Sequence, residues 1–252
     1  MIYFIGAGPG AVDLITVRGA EILRSAGRII YAGSLVNPEI LSAYAREGCE
    51  VFDSSSMTLE EITGLLVEGH KHGIITVRLH SGDPAIFGAV REQMNILREK
   101  GIPFEIVPGV SSLFAASSAL KTEYMIPGRT QTLIVTRAEG RTSVPESEGM
   151  KSLASHGASV AVFLSAGMTE KVCAELIAGG YDADTPAALV YRASWPDEVV
   201  IRGTLSTLPE LSRGITKTAI ILAGDFLNDN KGSQSKLYDK NFSHEYRDSS
   251  LH

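Results

Sequence analysis

Residues 2–11 read IYFIGAGPGA, an apolar run that leads directly into a turn with three glycines and a proline. The β-branched and aromatic side chains of Ile2–Ile5 predict a strand. The apolar residues after the turn, from Leu14 to Leu23, have the spacing of a helix that ends at Gly27. A strand, a glycine-rich turn and a helix in this order form the first unit of an α/β fold.

The same alternation continues through the first half of the chain. Further strands are predicted over Arg28–Tyr31, Ile74–Leu79 and Phe104–Val107. Helices are predicted to begin at Asn37-Pro38 and at the capping box that Thr58 opens, and to cover Ala85–Lys100 and Ser112–Leu120. Regular alternation of this kind predicts a parallel sheet with helices on its faces.

The second half of the chain has a different pattern of predicted strands and helices. Lys121–Tyr124 is a short polar break and the predicted linker. Beyond it, strands are predicted over Thr132–Thr136, Val160–Leu164, Ala187–Tyr191, Val199–Arg202 and Ala219–Leu222, and helices near Met150–Ser155 and Thr169–Ala178. The residues around Trp195-Pro196 predict an antiparallel hairpin, which makes this sheet mixed. The prediction is therefore two α/β domains of similar size, residues 1–120 and 121–228, followed by a polar tail over residues 229–252.

The composition excludes several classes of protein. The chain has 252 residues, of which 44% are apolar, so it can bury a sizeable core. Its 23 basic and 29 acidic residues give a net charge of −6, which disfavours a broad surface for nucleic acid. No apolar run approaches the roughly 18 residues of a membrane span, no signal peptide is recognisable, and only Cys49 and Cys173 carry thiols. We therefore expect a cytoplasmic protein with reduced thiols and without nucleic-acid or membrane partners.

The glycine-rich turn fits the dinucleotide-binding pattern G-x-G-x-x-A, over residues 6–11. Two features count against a dinucleotide. The second predicted strand is followed by residues 32–35, AGSL, which contain no carboxylate for a ribose. Pro9 also removes a backbone N–H from the loop that would bind pyrophosphate. No Walker A lysine follows, so the glycines indicate a tight turn or a close approach to another group.

Two more turns follow predicted strands, HSGDPAIF at residues 80–87 and VPGVSS at residues 107–112. Each has a purely structural explanation, because Asp83 can cap a helix that begins at Pro84 and Ser112 can cap the next one. Three turns at the carboxyl ends of parallel strands, however, share one edge of the sheet. Open α/β sheets bind ligands at this edge, so we expect a small-ligand site there.

The remaining chemistry-bearing residues are less informative. None of the six histidines has partners at metal-ligand spacing, so no protein-bound metal is expected. Ser111-Ser112 lacks the glycine pattern of a nucleophile elbow. Four arginines near loop or strand ends are candidates to bind an anionic substrate, namely Arg18, Arg78, Arg129 and Arg192.

In order along the chain, several motifs resemble the tetrapyrrole methylase family. They are GAGPG at residues 6–10 with LIT at 14–16, GDP at 82–84, PGVSS at 108–112 and GTL at 203–205. Residues 31–38, 78–84 and 191–196 resemble in particular the members that methylate precorrins in cobalamin biosynthesis. The resemblance implies a homodimeric, S-adenosylmethionine-dependent methyltransferase that acts on an anionic tetrapyrrole. It also implies that the active-site cleft lies between two α/β domains.

The resemblance further implies residues of the site. Cofactor binding is expected at Pro9, Gly82, Asp83, Pro84, Ile86, Ser111, Ser112, Leu164 and Ala223. Asp83 is expected to hold the polar end of the cofactor, and the glycine-rich turn to act as a flexible wall over the macrocycle. Relatives often carry Asp where this chain has Ala11, so the catalytic residues stay unassigned. The candidates near the turn are Gly8, Pro9, Gly10 and Asp13.

Other functions remain open at this point. A methylase of the same family can act at a different precorrin position, on uroporphyrinogen III, on a protein or on ribosomal RNA. A dinucleotide-dependent oxidoreductase and a catalytically silent cofactor-binding module are the alternatives from other classes. The sequence also leaves open whether the tetrapyrrole contains cobalt.

Overall fold

The computed structural model describes residues 1–228 and 235–247. The chain divides into two units, Met1–Ala116 with Arg192–Glu198, and Ser117–Tyr191 with Val199–His252. The sequence had placed the boundary at residues 120 and 121, four residues later. It had also assigned the segment Arg192–Glu198 to the second domain, whereas the structure groups it with the first unit.

The first unit is an alternation of five parallel strands and helices. Its elements are β1 (Ile2–Gly6), α1 (Val17–Ser25), β2 (Arg28–Tyr31), α2 (Glu39–Tyr44), β3 (Glu50–Asp53), α3 (Leu59–Lys71), β4 (Thr76–His80), α4 (Arg91–Glu99), β5 (Phe104–Val107) and the first part of α5 (Ser112–Leu120). The residues of α5 from Ser117 onward are grouped with the second unit. The strand order is β3-β2-β4-β1-β5, and every neighbouring pair is parallel. All five carboxyl ends therefore lie at one edge of the sheet, as the sequence predicted for the three glycine-marked turns.

Side-chain alternation along these strands separates two apolar layers. Ile5, Ile29 and Leu79 pack on one face, whereas Phe4 and Ile30 pack on the other, against residues of α3 and α4. Both layers are dominated by fully buried aliphatic side chains. Burial on both faces explains why these strands read as continuous apolar runs rather than as alternating patterns.

The second unit contains a mixed sheet, as predicted. Its elements are β6 (Leu133–Arg137), α6 (Met150–Ala154), β7 (Ser159–Phe163), α7 (Thr169–Ala178), β8 (Pro186–Tyr191), β9 (Val199–Thr204), α8 (Leu208–Leu211) and β10 (Ala219–Ala223). The strand order is β6-β7-β10-β8-β9. Only β6 and β7 are parallel, and β8 and β9 form the expected antiparallel hairpin.

Several predicted elements differ from the structure. The helix expected over Ala85–Lys100 begins only at Arg91, because Phe87 and Ala89 have φ values of 53° and 48°, outside the helical region. The helix expected from Leu14 begins at Val17, after a separate 3-10 turn over Val12–Leu14. Strand β3 and helix α8 were not predicted. Strand β3 has four residues with a carboxylate at each end, and α8 has only four residues.

Part of the predicted polar tail lies outside the described residues, namely 229–234 and 248–252. Within residues 235–247, the Arg247 guanidinium donates to the carbonyls of Leu237, Asp239 and Phe242 at 2.7, 2.6 and 3.1 Å. No helix in the described parts of the chain has the length and apolar content that a bilayer crossing requires.

Candidate functional site

The first two glycine-marked turns are joined by backbone hydrogen bonds beyond the ends of β1 and β4. The Gly8 N–H donates to the Gly82 carbonyl at 3.2 Å, and the Gly82 N–H donates to the Gly8 carbonyl at 2.8 Å. Both residues have positive φ, 83° and 61°, which glycine adopts without steric cost. The turns after β1 and β4 therefore form one continuous backbone surface.

The third turn, after β5, packs directly against the other two. A Cβ on Gly109 would lie 2.2 Å from the Gly82 carbonyl oxygen and 2.7 Å from the Gly6 Cα. A Cβ on Gly6 would lie 2.5 Å from the Gly82 carbonyl oxygen and 2.6 Å from the Gly109 Cα. The three turns thus meet backbone to backbone, at a distance that only residues without a side chain allow.

The Asp83 carboxylate links the second turn to the third. One oxygen accepts the Ala85 N–H at 2.7 Å, and the other accepts the Gly109 N–H at 2.9 Å. Asp83 does not cap a helix, because residues 84–87 form a turn in which the Ile86 N–H donates to the Asp83 carbonyl. Pro84 is buried and Ile86 is half-buried beside this carboxylate. The geometry thus gives Asp83 a structural role at the edge, and its expected contact with the cofactor stays a prediction.

Helix α5 begins at this edge. The Ser111 Oγ accepts the Leu113 N–H at 3.2 Å, so Ser111 rather than Ser112 caps the helix. Ser111 is buried, and Ser112 is half-buried at the first helical position. The aligned peptide dipoles of a helix give its N-terminus partial positive charge. The third turn therefore presents an electropositive helix end at the edge where the three turns meet.

The glycine-rich turn is fixed by side chains from distant parts of the chain. The Trp195 Nε1–H donates to the Pro9 carbonyl at 2.8 Å, and the Asn37 Nδ2 donates to the Gly10 carbonyl at 2.9 Å. The Ala11 N–H donates to the Ser194 Oγ at 3.0 Å. These contacts argue against the flexible wall that was expected, because three consecutive residues each have a hydrogen-bond partner outside the turn.

Sequence reasoning did not assign these three partners to the site. Asn37 was expected only to start a helix, and its Oδ1 does accept the Glu39 N–H at 3.0 Å, while its amide group also reaches the turn. Trp195 was noted for the predicted hairpin, and Ser194 and Trp195 were noted as part of a resemblance. The one available signal was that Trp195 is the sole tryptophan of the chain and lies in a polar turn.

The residues that follow β2 contain no carboxylate, but the structure places one beside them from another strand. It belongs to Asp53 at the end of β3, whose Oδ1 accepts the Ser55 N–H at 2.8 Å and the Gly33 N–H at 3.1 Å. These hydrogen bonds, chiefly those of Ser55, lower the pKa of Asp53. Because a Cβ on Gly33 would lie 2.2 Å from this carboxylate, the close approach requires glycine.

The four arginine candidates have different surroundings. The Arg192 guanidinium lies 3.9 Å from the Trp195 ring centroid and is 2.5 Å from the Asp197 carboxylate. Arg18 is exposed and pairs with Glu105. In the second unit, Arg129 pairs with Asp225 at 3.0 Å. Of these, Arg192 alone contacts a side chain that binds the glycine-rich turn.

Arg78, the fourth candidate, is buried at 6% exposure, with Nη1 donating to the Ile30 carbonyl at 3.2 Å. Desolvation lowers its pKa to about 10. The neighbouring His80 is 5% exposed, and burial together with the charge of Arg78 lowers the pKa of the imidazole to about 3. Arg78 therefore lies in the interior of the first unit, and its expected contact with a substrate carboxylate stays a prediction.

The catalytic candidates offer little chemistry of their own. Gly8 and Gly10 have no side chain, and Pro9 is buried with its carbonyl bound to Trp195. Asp13 provides a carboxylate, which is exposed on the 3-10 turn over Val12–Leu14. The backbone and packing of the turn, rather than an acid or a base, are what the structure provides at this point.

The second-unit candidates do not come together. Leu164 follows β7 with a φ of 56° and is 66% exposed, whereas Ala223 is fully buried at the end of β10. The two strands are antiparallel, and Ala223 pairs with Val160 at the start of β7. Four residues of strand, about 13 Å, therefore separate Leu164 from the level of Ala223. The sequence had treated both as strand ends of one site, without the strand direction.

Groups of three or more His, Cys, Asp or Glu side chains arranged to hold a metal ion are absent from residues 1–228 and 235–247. The carboxylates of Asp53 and Asp83 accept hydrogen bonds from backbone N–H groups instead.

Comparison with known proteins gives one family. Residues 1–209 match the family model described as Tetrapyrrole (Corrin/Porphyrin) Methylases. The cobalt-precorrin-4 C(11)-methyltransferase of Methanocaldococcus jannaschii is 50% identical over 98% of this chain and 96% of its own length. The X-ray structure of a cobalamin biosynthetic enzyme, cobalt precorrin-4 methyltransferase, has a TM-score of 0.88 and 47% identity, covering 90% of this chain and 95% of that one. Uroporphyrin-III C-methyltransferase from Thermus thermophilus, complexed with S-adenosylhomocysteine, has a TM-score of 0.75 and 26% identity, covering 90% and 93%.

Proposed function

This chain belongs to the tetrapyrrole methylase family, and from that membership we propose the reaction that it catalyses. It transfers a methyl group from S-adenosylmethionine to C11 of precorrin-4 or cobalt-precorrin-4, giving the corresponding precorrin-5 in cobalamin biosynthesis. The identity of 50% extends over 98% of the chain, so the likeness includes both units.

One structural observation carries this proposal, the contact of three turns at a single edge of the parallel sheet. Gly6, Gly82 and Gly109 meet without intervening side chains, and Asp83 holds the second turn to the third. A dinucleotide-binding site would instead need the N–H groups of the glycine-rich turn for a pyrophosphate. Here the N–H groups of Gly8 and Ala11 already donate within the protein.

The residues at this edge fit S-adenosylmethionine. The first turn of α5 suits a carboxylate such as that of the methionine moiety, because it carries partial positive charge. Gly82, Ile86 and Ser112 are half-buried beside it and provide backbone and apolar contacts. The uroporphyrin-III C-methyltransferase structure with S-adenosylhomocysteine supports the same class of cofactor.

When bound, S-adenosylmethionine would supply an activated methyl group on a sulfonium, with the neutral thioether S-adenosylhomocysteine as the leaving group. The protein then has to orient the reactants and exclude water, and such positioning can account for roughly 7–11 kcal/mol of a barrier. Asp83 contributes by fixing the relative position of two turns, and Trp195, Asn37 and Ser194 contribute by fixing the third. This division of labour is consistent with a site that is rich in backbone contacts and poor in acid–base groups.

We assign binding of a tetrapyrrole carboxylate side arm to Arg192. Its guanidinium is stacked on Trp195, next to the glycine-rich turn, and its side chain is 28% exposed. Planar guanidinium groups bind carboxylates through paired hydrogen bonds. Arg192→Ala should raise the KM for the tetrapyrrole about tenfold, the equivalent of about 1.4 kcal/mol. Arg213→Ala, which removes an exposed guanidinium paired with Glu210, is the control and should leave KM unchanged. Equal KM values for all three proteins would contradict the assignment.

The reaction is tested with S-adenosylmethionine labelled in its methyl group. The protein is incubated with precorrin-4, cobalt-precorrin-4, other precorrins and uroporphyrinogen III, and the label is located on the product by NMR. Label at C11 of either precorrin-4 is the expected result, and the faster of the two substrates identifies the metal state. Label at another carbon, or on uroporphyrinogen III alone, would replace the proposed substrate.

We propose two further properties of the protein, its oligomeric state and its location. A homodimer is inferred from the family resemblance and from apolar side chains left exposed at the β5 edge of the first sheet, where Ile106 is 47% exposed. Sedimentation should give a dimer for the wild type and a monomer for Ile106→Lys.

A cytoplasmic location is supported by Cys49 and Cys173, both of which are free thiols. Fractionation of cells that express the chain tests this location.

A further inference from the structure

The segment Arg192–Glu198 connects β8 to β9 and groups with the first unit, where its tryptophan packs on the glycine-rich turn. A Cβ on Gly10 would lie 2.0 Å from Trp195 Cδ1 and 2.2 Å from Nε1, so the indole ring lies directly on the backbone of Gly10. The same nitrogen donates to the Pro9 carbonyl at 2.8 Å. Two adjacent residues of the turn are thus held by one side chain, 186 positions away from Pro9 in the sequence.

The connection that carries Trp195 is itself internally bonded. The Ser194 N–H donates to the Glu198 carboxylate at 2.6 Å, and the Trp195 N–H donates to the Arg192 carbonyl at 2.9 Å. Arg192 and Ser194 have φ values of 45° and 69°, a strained conformation for residues with a side chain. Such a conformation persists because the surrounding contacts hold it, so the indole is presented in one orientation.

We propose that Trp195 is a positioning residue for methyl transfer, which holds Pro9 and Gly10 where the tetrapyrrole is received. The proposal rests on the proposed function. It goes beyond that function by identifying the indole ring and its N–H as the groups that set the position of the turn. A displacement of about 1 Å in a positioning group lowers methyl-transfer efficiency strongly, because the reaction depends on alignment rather than on an acid or a base.

Two substitutions separate the ring from its N–H group. Trp195→Phe keeps an aromatic ring against Gly10 and removes the hydrogen-bond donor to the Pro9 carbonyl. The loss of this hydrogen bond should lower kcat/KM for the tetrapyrrole about fivefold. Trp195→Ala removes both, and kcat/KM for the tetrapyrrole should fall about 100-fold. The affinity for S-adenosylhomocysteine, measured by calorimetry, should fall far less than kcat/KM in both variants, because the indole ring holds the turn after β1, whereas the cofactor is proposed to bind chiefly at the turns after β4 and β5.

Gly10→Ala tests the contact from the other side. Its methyl group has no room while the indole is present, so the variant should lose kcat/KM to a similar extent. In the Trp195→Ala background the methyl group has space, and the double variant should be no worse than Trp195→Ala alone. Trp195 is the only tryptophan, so its fluorescence should shift to longer wavelength in Gly10→Ala as the ring is displaced into water.

Tyr181→Phe is the control for a general loss of stability. It removes a hydrogen bond from an aromatic side chain to the Ala158 carbonyl in the second unit, and should change neither kcat nor KM for the tetrapyrrole. Wild-type kinetics in Trp195→Ala, or losses in Gly10→Ala and Trp195→Ala that simply add, would overturn the positioning role. A wild-type chain that methylates no tetrapyrrole would overturn the proposed function, and the positioning role with it.

Discussion

Gly109→Ala is the most direct perturbation of the edge where the three turns meet. The new Cβ would lie 2.2 Å from the Gly82 carbonyl oxygen and 2.7 Å from the Gly6 Cα, against an ordinary contact of at least 3.4 Å. Both neighbours are backbone atoms, so no side chain can rotate away. The third turn must therefore move by about 1 Å relative to the other two.

The size of the effect follows from what this movement breaks. Overpacking of a tight contact costs about 1–3 kcal/mol. The hydrogen bond from the Gly109 N–H to the Asp83 carboxylate, 2.9 Å long, is worth about 1.5–3 kcal/mol. Taking the lower part of each range, because Asp83 is half-buried, we expect a loss of about 2.5–4 kcal/mol in the unfolding free energy of the first unit.

Urea unfolding monitored by tryptophan fluorescence measures this loss, because Trp195 belongs to the first unit. The affinity for S-adenosylhomocysteine should fall in parallel, since the displaced turn leads into α5. Gly64→Ala is the matched control. Gly64 lies in the interior of α3 with nothing within 4 Å of the added Cβ, so this variant should gain about 0.5–1 kcal/mol. If Gly109→Ala were as stable as the wild type and bound S-adenosylhomocysteine equally well, the backbone-to-backbone site would be refuted.

Three further predictions concern single side chains. Asp83→Asn keeps the shape of the side chain but places an amide donor opposite a backbone N–H. It should lower the unfolding free energy, measured in urea, by about 1–2 kcal/mol and weaken S-adenosylhomocysteine binding. Unchanged values would contradict the role of Asp83 as a bridge between the two turns. The pKa of His80 is lowered to about 3 in the native state, below its unfolded value near 6.5. The contribution of His80 to the unfolding free energy is therefore complete above about pH 6.5. It is lost as the pH falls towards 3, by about 1.4 kcal/mol per pH unit. His80→Asn should flatten the pH dependence of unfolding between these values, and the exposed His72→Asn should not. Burial raises the pKa of Cys173 to about 11, so iodoacetamide should label Cys49 in the native protein and Cys173 only after unfolding; equal labelling rates would contradict the burial.

Most of the secondary structure of the first unit could be predicted because its signals are local. Apolar runs such as Ile2–Ile5 and the capping box at Thr58 specify strands and helices within a few residues. The failures have local physical reasons as well. Strand β3 has too few apolar residues to stand out, and the start of α4 depends on positive φ values at Phe87 and Ala89 that composition does not reveal.

The site could be predicted only in part. The three turns were placed at one edge correctly, because the carboxyl ends of parallel strands always share an edge. Arg78 looked like a surface cation, since the pattern of a buried strand does not indicate which polar residue is enclosed. Leu164 and Ala223 were assigned to the cofactor site from the family resemblance, and the antiparallel pairing that places Ala223 opposite Val160 is not contained in the local pattern.

The amino-acid pattern alone therefore specified two α/β units and a glycine-marked edge, since these rest on local patterns and on a rule for parallel strands. It also indicated the family, through short motifs in a set order along the chain. Tertiary packing alone brought Trp195 onto Pro9 and Gly10, enclosed Arg78 and His80, and made the Asp83 carboxylate a bridge between turns. These contacts join residues that are far apart in sequence. They arise only when all strands have paired, because the position of each partner depends on the whole chain.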